Sequence, residues 1–187
     1  MALTKDEYRQ LIGCFPTGVT IITMAREGEV RGMTANAVTS VSLDPLLLLI
    51  CVDKRTITHQ FLDEAKSFAV NILAEDQEHI SRALASRDSE DARRLMGHPY
   101  HPGQTGSPIL DDCVAYLECR VTEVFPGGDH SIFIGEVVLA AFVEQVNALG
   151  HSSMPLPLDH QAASITFNGY DTESDSAVLV ASAPGQQ

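Results

Sequence analysis

Apolar positions recur along this chain with two periods, two and about 3.6, and the shifts between them predict its elements. Residues 4–15, TKDEYRQLIGCF, open on Thr4 with Glu7 three positions later, ahead of Leu11 and Ile12. That is the spacing of a capping box before a short helix. GVTIITMA is β-branched and predicts a strand, with REGEVRG as its turn. GMTANAVTSVSLDP, residues 32–45, reads as a single extended stretch with two unlike faces. Thr34, Asn36, Ser40 and Ser42 share one side, and Met33, Ala35, Ala37, Val41 and Leu43 share the other. PLLLLICV is a continuous apolar run, the pattern of a strand buried on both faces. TITHQFLDEAK carries Ile57, Phe61, Leu62 and Ala65 at helical spacing behind a capping Thr56. SFAVNIL returns to a strand, and AEDQEHISRALAS reads as a helix. Residues 87–106, with His98, Pro99, Pro102, Gly103 and Gly106, read as a long loop. CVAYLECRVTEVF and HSIFIGEVVLAAFVE predict two strands joined at PGGD, with a bulge or bend at Gly135. ITFNGY closes the pattern as a short strand.

Six or seven strands and two or three helices, without strict alternation, argue against a doubly wound parallel sheet. The expected class is mainly β with peripheral helices: an antiparallel barrel with helices at its side. One domain over residues 1–170 is expected, followed by a tail, 171–187, whose acidic and then Ala/Ser/Pro/Gln composition predicts no fixed structure.

Composition narrows the function. The formal charge is −13 and no basic footprint is present, so no nucleic-acid partner is expected. No apolar run approaches a membrane span, and the first 16 residues lack a signal-peptide pattern. A cytoplasmic protein with no membrane partner is the resulting expectation. Cys14, Cys51, Cys113 and Cys119 are scattered without metal or redox spacing, and the seven histidines form no H-x-x-x-H pattern, so no metal site is expected.

Two stretches could carry chemistry. In CVDKRTITHQFL, a strand end is followed by Lys54, Arg55, Thr56 and a helix start. Free first-turn N–H groups, the helix dipole and two cations would suit a phosphate without a glycine-rich loop. An ordinary basic strand end with a Thr cap is the alternative. The small residues of 34–42 would let a flat heteroaromatic ring approach backbone, with Thr34, Asn36, Ser40 and Ser42 at its edge; a solvated Ser/Thr face is the alternative there. No G-x-G-x-x-G follows a strand, which excludes a Rossmann dinucleotide site. Asp129 and His130 sit at a hairpin tip, where an imidazole could orient a reactant.

FPTGVTIIT, GMTANAVTSVSLDPLLLLICVDKRT, SFAVNIL, LDDCVAYLECRV and GDHSIFIGEV, in order from about residue 11 to residue 138, resemble the flavin reductase-like family. The resemblance implies a six-stranded antiparallel split β-barrel of the FMN-binding type and a homodimer. It implies an NAD(P)H:flavin oxidoreductase that uses NADH or NADPH to reduce FMN or FAD and feeds a partner monooxygenase. By resemblance, Thr34, Ala35, Asn36 and Ala37 would meet the ring edge. Ser40, Val41 and Ser42, with Cys51, Val52 and Asp53, would line the rest, and Lys54 and Thr56 would hold the phosphate. Pro16, Thr17, Gly18 and His130 would border the nicotinamide, with His130 positioning it. Asn168 stands where the family usually carries Arg, and residues 147–164 look rewritten. Those departures raise an alternative, a flavin-binding enzyme without routine reductase activity that acts on another substrate.

Overall fold

The computed structural model describes residues 3–15, 17–85, 95–143, 166–171 and 176–180. Seven antiparallel strands form the main sheet: β1 Thr20–Arg26, β2 Glu29–Ala35, β3 Val38–Leu43, β4 Leu46–Asp53, β5 Ser67–Ile72, β8 Ala115–Gly127 and β9 His130–Phe142. Their spatial order is β2-β1-β5-β8-β9-β4-β3. Strands β2 and β3 lie at opposite ends of that order, yet only Asn36 and Ala37 separate them in the chain. Consecutive Cα atoms are about 3.8 Å apart, so Ala35 and Val38 cannot be more than about 11 Å apart. The sheet must therefore curl until its two edges meet at this corner, and the result is a barrel. The split barrel expected from the sequence is found, with seven strands in its sheet rather than six.

The corner also corrects the reading of residues 32–45 as one strand. Two strands meet there, and β3 carries a register shift between Ser40 and Ser42 against β4. A break and a bulge each disturb the period of two, so side-chain parity does not run unbroken from Thr34 to Ser42.

Local chemistry accounts for the elements. Helix α1, Lys5–Ile12, starts with the expected capping box: Glu7 N donates to Thr4 Oγ1 at 3.2 Å, and Thr4 N donates to Glu7 Oε2 at 2.8 Å. Helix α2, Ile57–Ala65, is capped by Thr56 and ends at Lys66 in the left-handed region. The segment 75–84 is a 3₁₀ turn followed by helix α3, Glu78–Leu84. The β1–β2 turn contracts to Glu27 and Gly28, both with positive φ, the geometry that matches strand twist in a two-residue hairpin. The expected loop 87–106 is partly ordered into a strand, since β6 Tyr100–Pro102 pairs with β7 Pro108–Leu110. Residues 86–94 lie outside the description. A separate ribbon pairs β10 Thr166–Asp171 with β11 Ser176–Val180, and β11 falls in the tail for which composition predicts no structure.

Strand β1 is buried on both faces and divides two cores. Ile22 and Met24 join Leu48, Ile50, Val52, Phe68 and Phe133 inside the barrel. Val19 and Ile21 join Ile80, Leu84, Leu95 and Leu110 beneath α3. Strand β4 differs from expectation. Leu48, Ile50 and Val52 are buried, but Leu47, Leu49 and Cys51 are only half-buried. Gly135 bears out the expected bulge, because Thr122 is the extra residue where Val121 pairs Gly135 and Glu123 pairs Ile134. A Cβ on Gly135 would stand 2.7 Å from Phe68 Cζ and 2.8 Å from Cys119 Cβ, so a side chain is excluded there.

Candidate active site

A cavity of about 900 Å³ opens at the corner where the barrel closes. Its size suits a small-molecule or cofactor site. Four pieces of chain build it. The end of β2 and the link contribute Met33, Thr34, Ala35, Asn36 and Ala37. The end of β4 contributes Cys51, Val52 and Asp53, and the start of α2 contributes Arg55, Thr56 and Thr58. The β8–β9 tip contributes Gly127, Asp129 and His130. Residues of α1, among them Tyr8, Arg9 and Ile12, form an outer wall, although α1 buries none of its side chains.

The barrel topology explains the convergence. Strands β4 and β9 are neighbours, with Asp53 directly opposite His130, so the strand end and the hairpin tip are brought together by the ladder. Lys54 N donates to Asp129 O at 3.0 Å and extends that ladder by one bond. Gly128 has φ 71°, which a two-residue turn requires at this position and glycine adopts without strain.

Polar groups in the cavity are largely pre-oriented. Asp53, 9% exposed, accepts from Arg55 N at 2.9 Å, Arg55 Nε at 3.1 Å and Arg55 Nη2 at 2.7 Å. That pair fixes the guanidinium at the mouth of the first turn of α2. Thr56 Oγ1 donates to Asp53 O at 2.8 Å and accepts from His59 N at 3.2 Å. Its single proton is therefore committed, and Thr56 serves by shaping the helix start rather than as a donor. Thr34 Oγ1 donates to Ser81 O, so toward a ligand it can only accept. His130 Nδ1 and Asp129 Oδ1 are 2.8 Å apart. The hydrogen bond from His130, and then its charge, hold the Asp129 carboxyl below its ordinary value. Burial pushes the Cys51 thiol up.

Of the residues expected from the sequence, Thr17, Thr34, Ala35, Asn36, Ala37, Cys51, Val52, Asp53, Thr56 and His130 converge on this cavity. Gly18, Ser40, Val41, Ser42 and Lys54 do not line it. Ser40 and Val41 are exposed on edge strand β3, and Ser42 Oγ accepts from Asp44 N at 3.2 Å in the following turn. The strand break at 36–37 moved that row away from the corner. Lys54 Nζ instead donates to Gly128 O at 2.7 Å and braces the hairpin tip. Pro16 lies outside the described residues, as do residues 147–164; Asn168 is described by its backbone within β10 alone. Arg55 and Thr58, visible in the basic strand-end pattern, were passed over by the family resemblance, yet both line the cavity. The wall formed by α1 had only its amphipathic spacing as a signal.

A planar cofactor with an anionic tail fits these residues. Ala35 and Ala37 leave room for close ring approach, and Arg55 with the start of α2 offers an anion end. Among the described residues Thr17 Oγ1 is buried without a hydrogen-bond partner, and Thr17 lines the cavity, so the hydroxyl suits a polar atom of a ligand. Among the described residues, no cluster of His, Cys, Asp and Glu could hold a metal ion.

Known proteins resemble this chain in sequence and in fold. An NADH-dependent FAD reductase of Streptomyces globisporus is 40% identical over 143 residues, covering 73% of this chain and 75% of that protein. The reductase component of a 4-nitrophenol 4-monooxygenase/4-nitrocatechol 2-monooxygenase of Rhodococcus opacus is 38% identical over 138 residues, 74% of this chain and 72% of the other. The solved structure of the Streptomyces globisporus NADH:FAD oxidoreductase in complex with NAD and FAD fragments superposes with a TM-score of 0.68 at 39% identity, over 76% of this chain and 87% of that one. The flavin reductase like domain matches residues 12–183, a span that holds the barrel and the cavity wall apart from most of α1. A closed barrel corner with a cofactor-sized cavity, and relatives alike over about three quarters of their length, lead to one assignment: this chain belongs to the flavin reductase like domain family.

Proposed function

We propose that this protein is an NADH-dependent flavin reductase, which passes a hydride from the nicotinamide to FMN or FAD and supplies the reduced flavin to a partner monooxygenase. The carrying observation is the single cavity that joins the small-residue corner 34–37, the Arg55–Thr56 helix start and the His130 hairpin tip. When bound, the flavin and nicotinamide supply the redox chemistry themselves. The chain's residues do the rest. Ala35 and Ala37 set the depth at which a ring can lie, and Asn36 offers its amide to the ring edge. Arg55, oriented by Asp53, and the first-turn amides of α2 hold an anionic tail. Thr17 offers its unsatisfied hydroxyl to a ligand polar group, and His130 bounds the nicotinamide side beside Asp129. No acid–base triad is required, because orientation and exclusion of water are the protein's contribution.

The functional unit is a homodimer. The half-buried outer face of β4, Leu47 and Leu49, continues into Ile132 and Ile134 of β9, and exposed Leu43 and Leu46 stand at the β3–β4 turn; a second copy would cover both apolar areas. The Rhodococcus opacus relative, a monooxygenase reductase component, supports a monooxygenase as recipient. Purified protein mixed with FAD or FMN and NADH should oxidise NADH at a rate set by flavin concentration, followed at the nicotinamide absorbance band. No flavin-dependent oxidation with either flavin would overturn the reading.

A further inference from the structure

His59 and Ser131 form a bridge that the cavity does not see. His59 lies in the first turn of α2, where its backbone N–H donates to the Thr56 cap. Its Nε2 is 2.8 Å from Ser131 Oγ. The imidazole is half-buried and packs edge-on against Phe133, with ring centroids 5.4 Å apart and an interplanar angle of 66°. Ser131 is 6% exposed and Phe133 is fully buried, so the bond sits on the rigid side of the barrel wall. Neither His59 nor Ser131 lines the cavity.

Each is one step from a residue that does. Ser131 follows His130 in β9, and His59 is held by the Thr56 cap. The ladder between β4 and β9 ends at Asp53 and His130, so beyond the Lys54–Asp129 bond the tip has little main-chain support from β4. The His59–Ser131 bond supplies a lateral tie from α2. The edge-on Phe133 ring narrows the space in which the imidazole can turn.

We infer that His59 is a positioning residue: through Ser131 it fixes the base of the hairpin so that His130 is held at the nicotinamide side of the cavity. The inference rests on the flavin reductase reading above. Loss of the tie loosens His130, while the corner 34–37 and the Asp53–Arg55 pair remain as they are. Nicotinamide binding therefore suffers and flavin binding does not.

The test is a double-mutant cycle with H59L, S131A and the double variant, with H59Q as the conservative replacement, since a glutamine amide can reach the position of Nε2. Four quantities are measured: KM for NADH, kcat, flavin affinity by fluorescence quenching, and Tm. Each single variant should raise KM for NADH about fivefold, with flavin affinity changed less than about twofold. The double variant should match the worse single one rather than multiply the two effects, and H59Q should recover most of the loss. Multiplicative effects on KM, or a lowered Tm with KM unchanged in every variant, would overturn the inference while leaving the reductase reading intact. Wild-type protein without flavin-dependent NADH oxidation would instead overturn that reading, and the flavin-affinity and Tm arms would still show whether the two residues act as a pair.

Discussion

Cys51 is half-buried on β4 and faces the cavity, and burial raises its thiol pKa. A raised pKa leaves less thiolate at any given pH than an exposed thiol carries. Iodoacetamide should therefore label Cys51 slowly at pH 8, and faster only as pH rises beyond the ordinary thiol range. Saturating FMN should slow labelling further, by about tenfold, read by peptide mass spectrometry. Rapid labelling at pH 7 that ignores FMN would contradict both the burial and the seating of the cofactor. Cys113 and Cys119 are buried outright and their thiols are pushed up to about 12, so they should stay unlabelled in the folded protein. Gly135 shows the opposite economy, where function needs no side chain at all. Gly135→Ala would press a methyl into Phe68 and Cys119, and should cost about 1 to 3 kcal/mol in a denaturant titration.

At the scale of elements, α2 does two jobs. Its buried Phe61 and Leu62 anchor it to the barrel, and its N-terminus faces the cavity. Thr56→Ala removes the cap and should destabilise the protein by about 1 kcal/mol. Arg55→Met should separate the two ends of the cofactor. FMN carries a phosphate and riboflavin does not, so FMN affinity should fall about tenfold while riboflavin affinity barely changes, measured by fluorescence titration. Equal losses for both ligands would place the anion end elsewhere. Lys54→Met is the informative contrast. With its ammonium on Gly128 O, its removal should disturb the hairpin tip more than the phosphate, so FMN and riboflavin should respond alike.

At the scale of the molecule, two apolar areas stay uncovered: the outer face of β4 and β9, and the β3–β4 turn, where Leu43 pairs with Leu46. Leu43 is 84% exposed, and Leu46 is 51% exposed beside it. In a dimer those side chains would be covered, which is the reason to expect them on a strongly acidic protein. Sedimentation equilibrium should report a dimer at micromolar concentration. Leu43→Glu should shift it toward monomer, raising the dissociation constant by at least about tenfold. A wild-type monomer at every concentration would remove the homodimer from the proposal.

Periodicity and local caps determine most elements of this fold. The capping box of α1, the Thr56 cap, the PGGD hairpin and the Gly135 bulge each follow from contacts within a few residues of one another or from a single pattern. The chemistry of the site was legible as residue types: small residues at 34–37, a cation and a cap at 55–56, a histidine at a turn. Tertiary structure decided which of them meet. Edges β2 and β3 had to close on a two-residue link, and that closure turned one long strand reading into a corner. It drew Asn36 and Ala37 into the cavity and left Ser40 to Ser42 outside. It also sent Lys54 to the hairpin and Arg55 to the cavity, although they are neighbours in sequence. Lys54 follows a backbone carbonyl 74 positions away, at Gly128, whereas Arg55 follows the Asp53 carboxylate two positions back, so adjacent positions at a strand end diverge with partners that only the folded chain brings beside them.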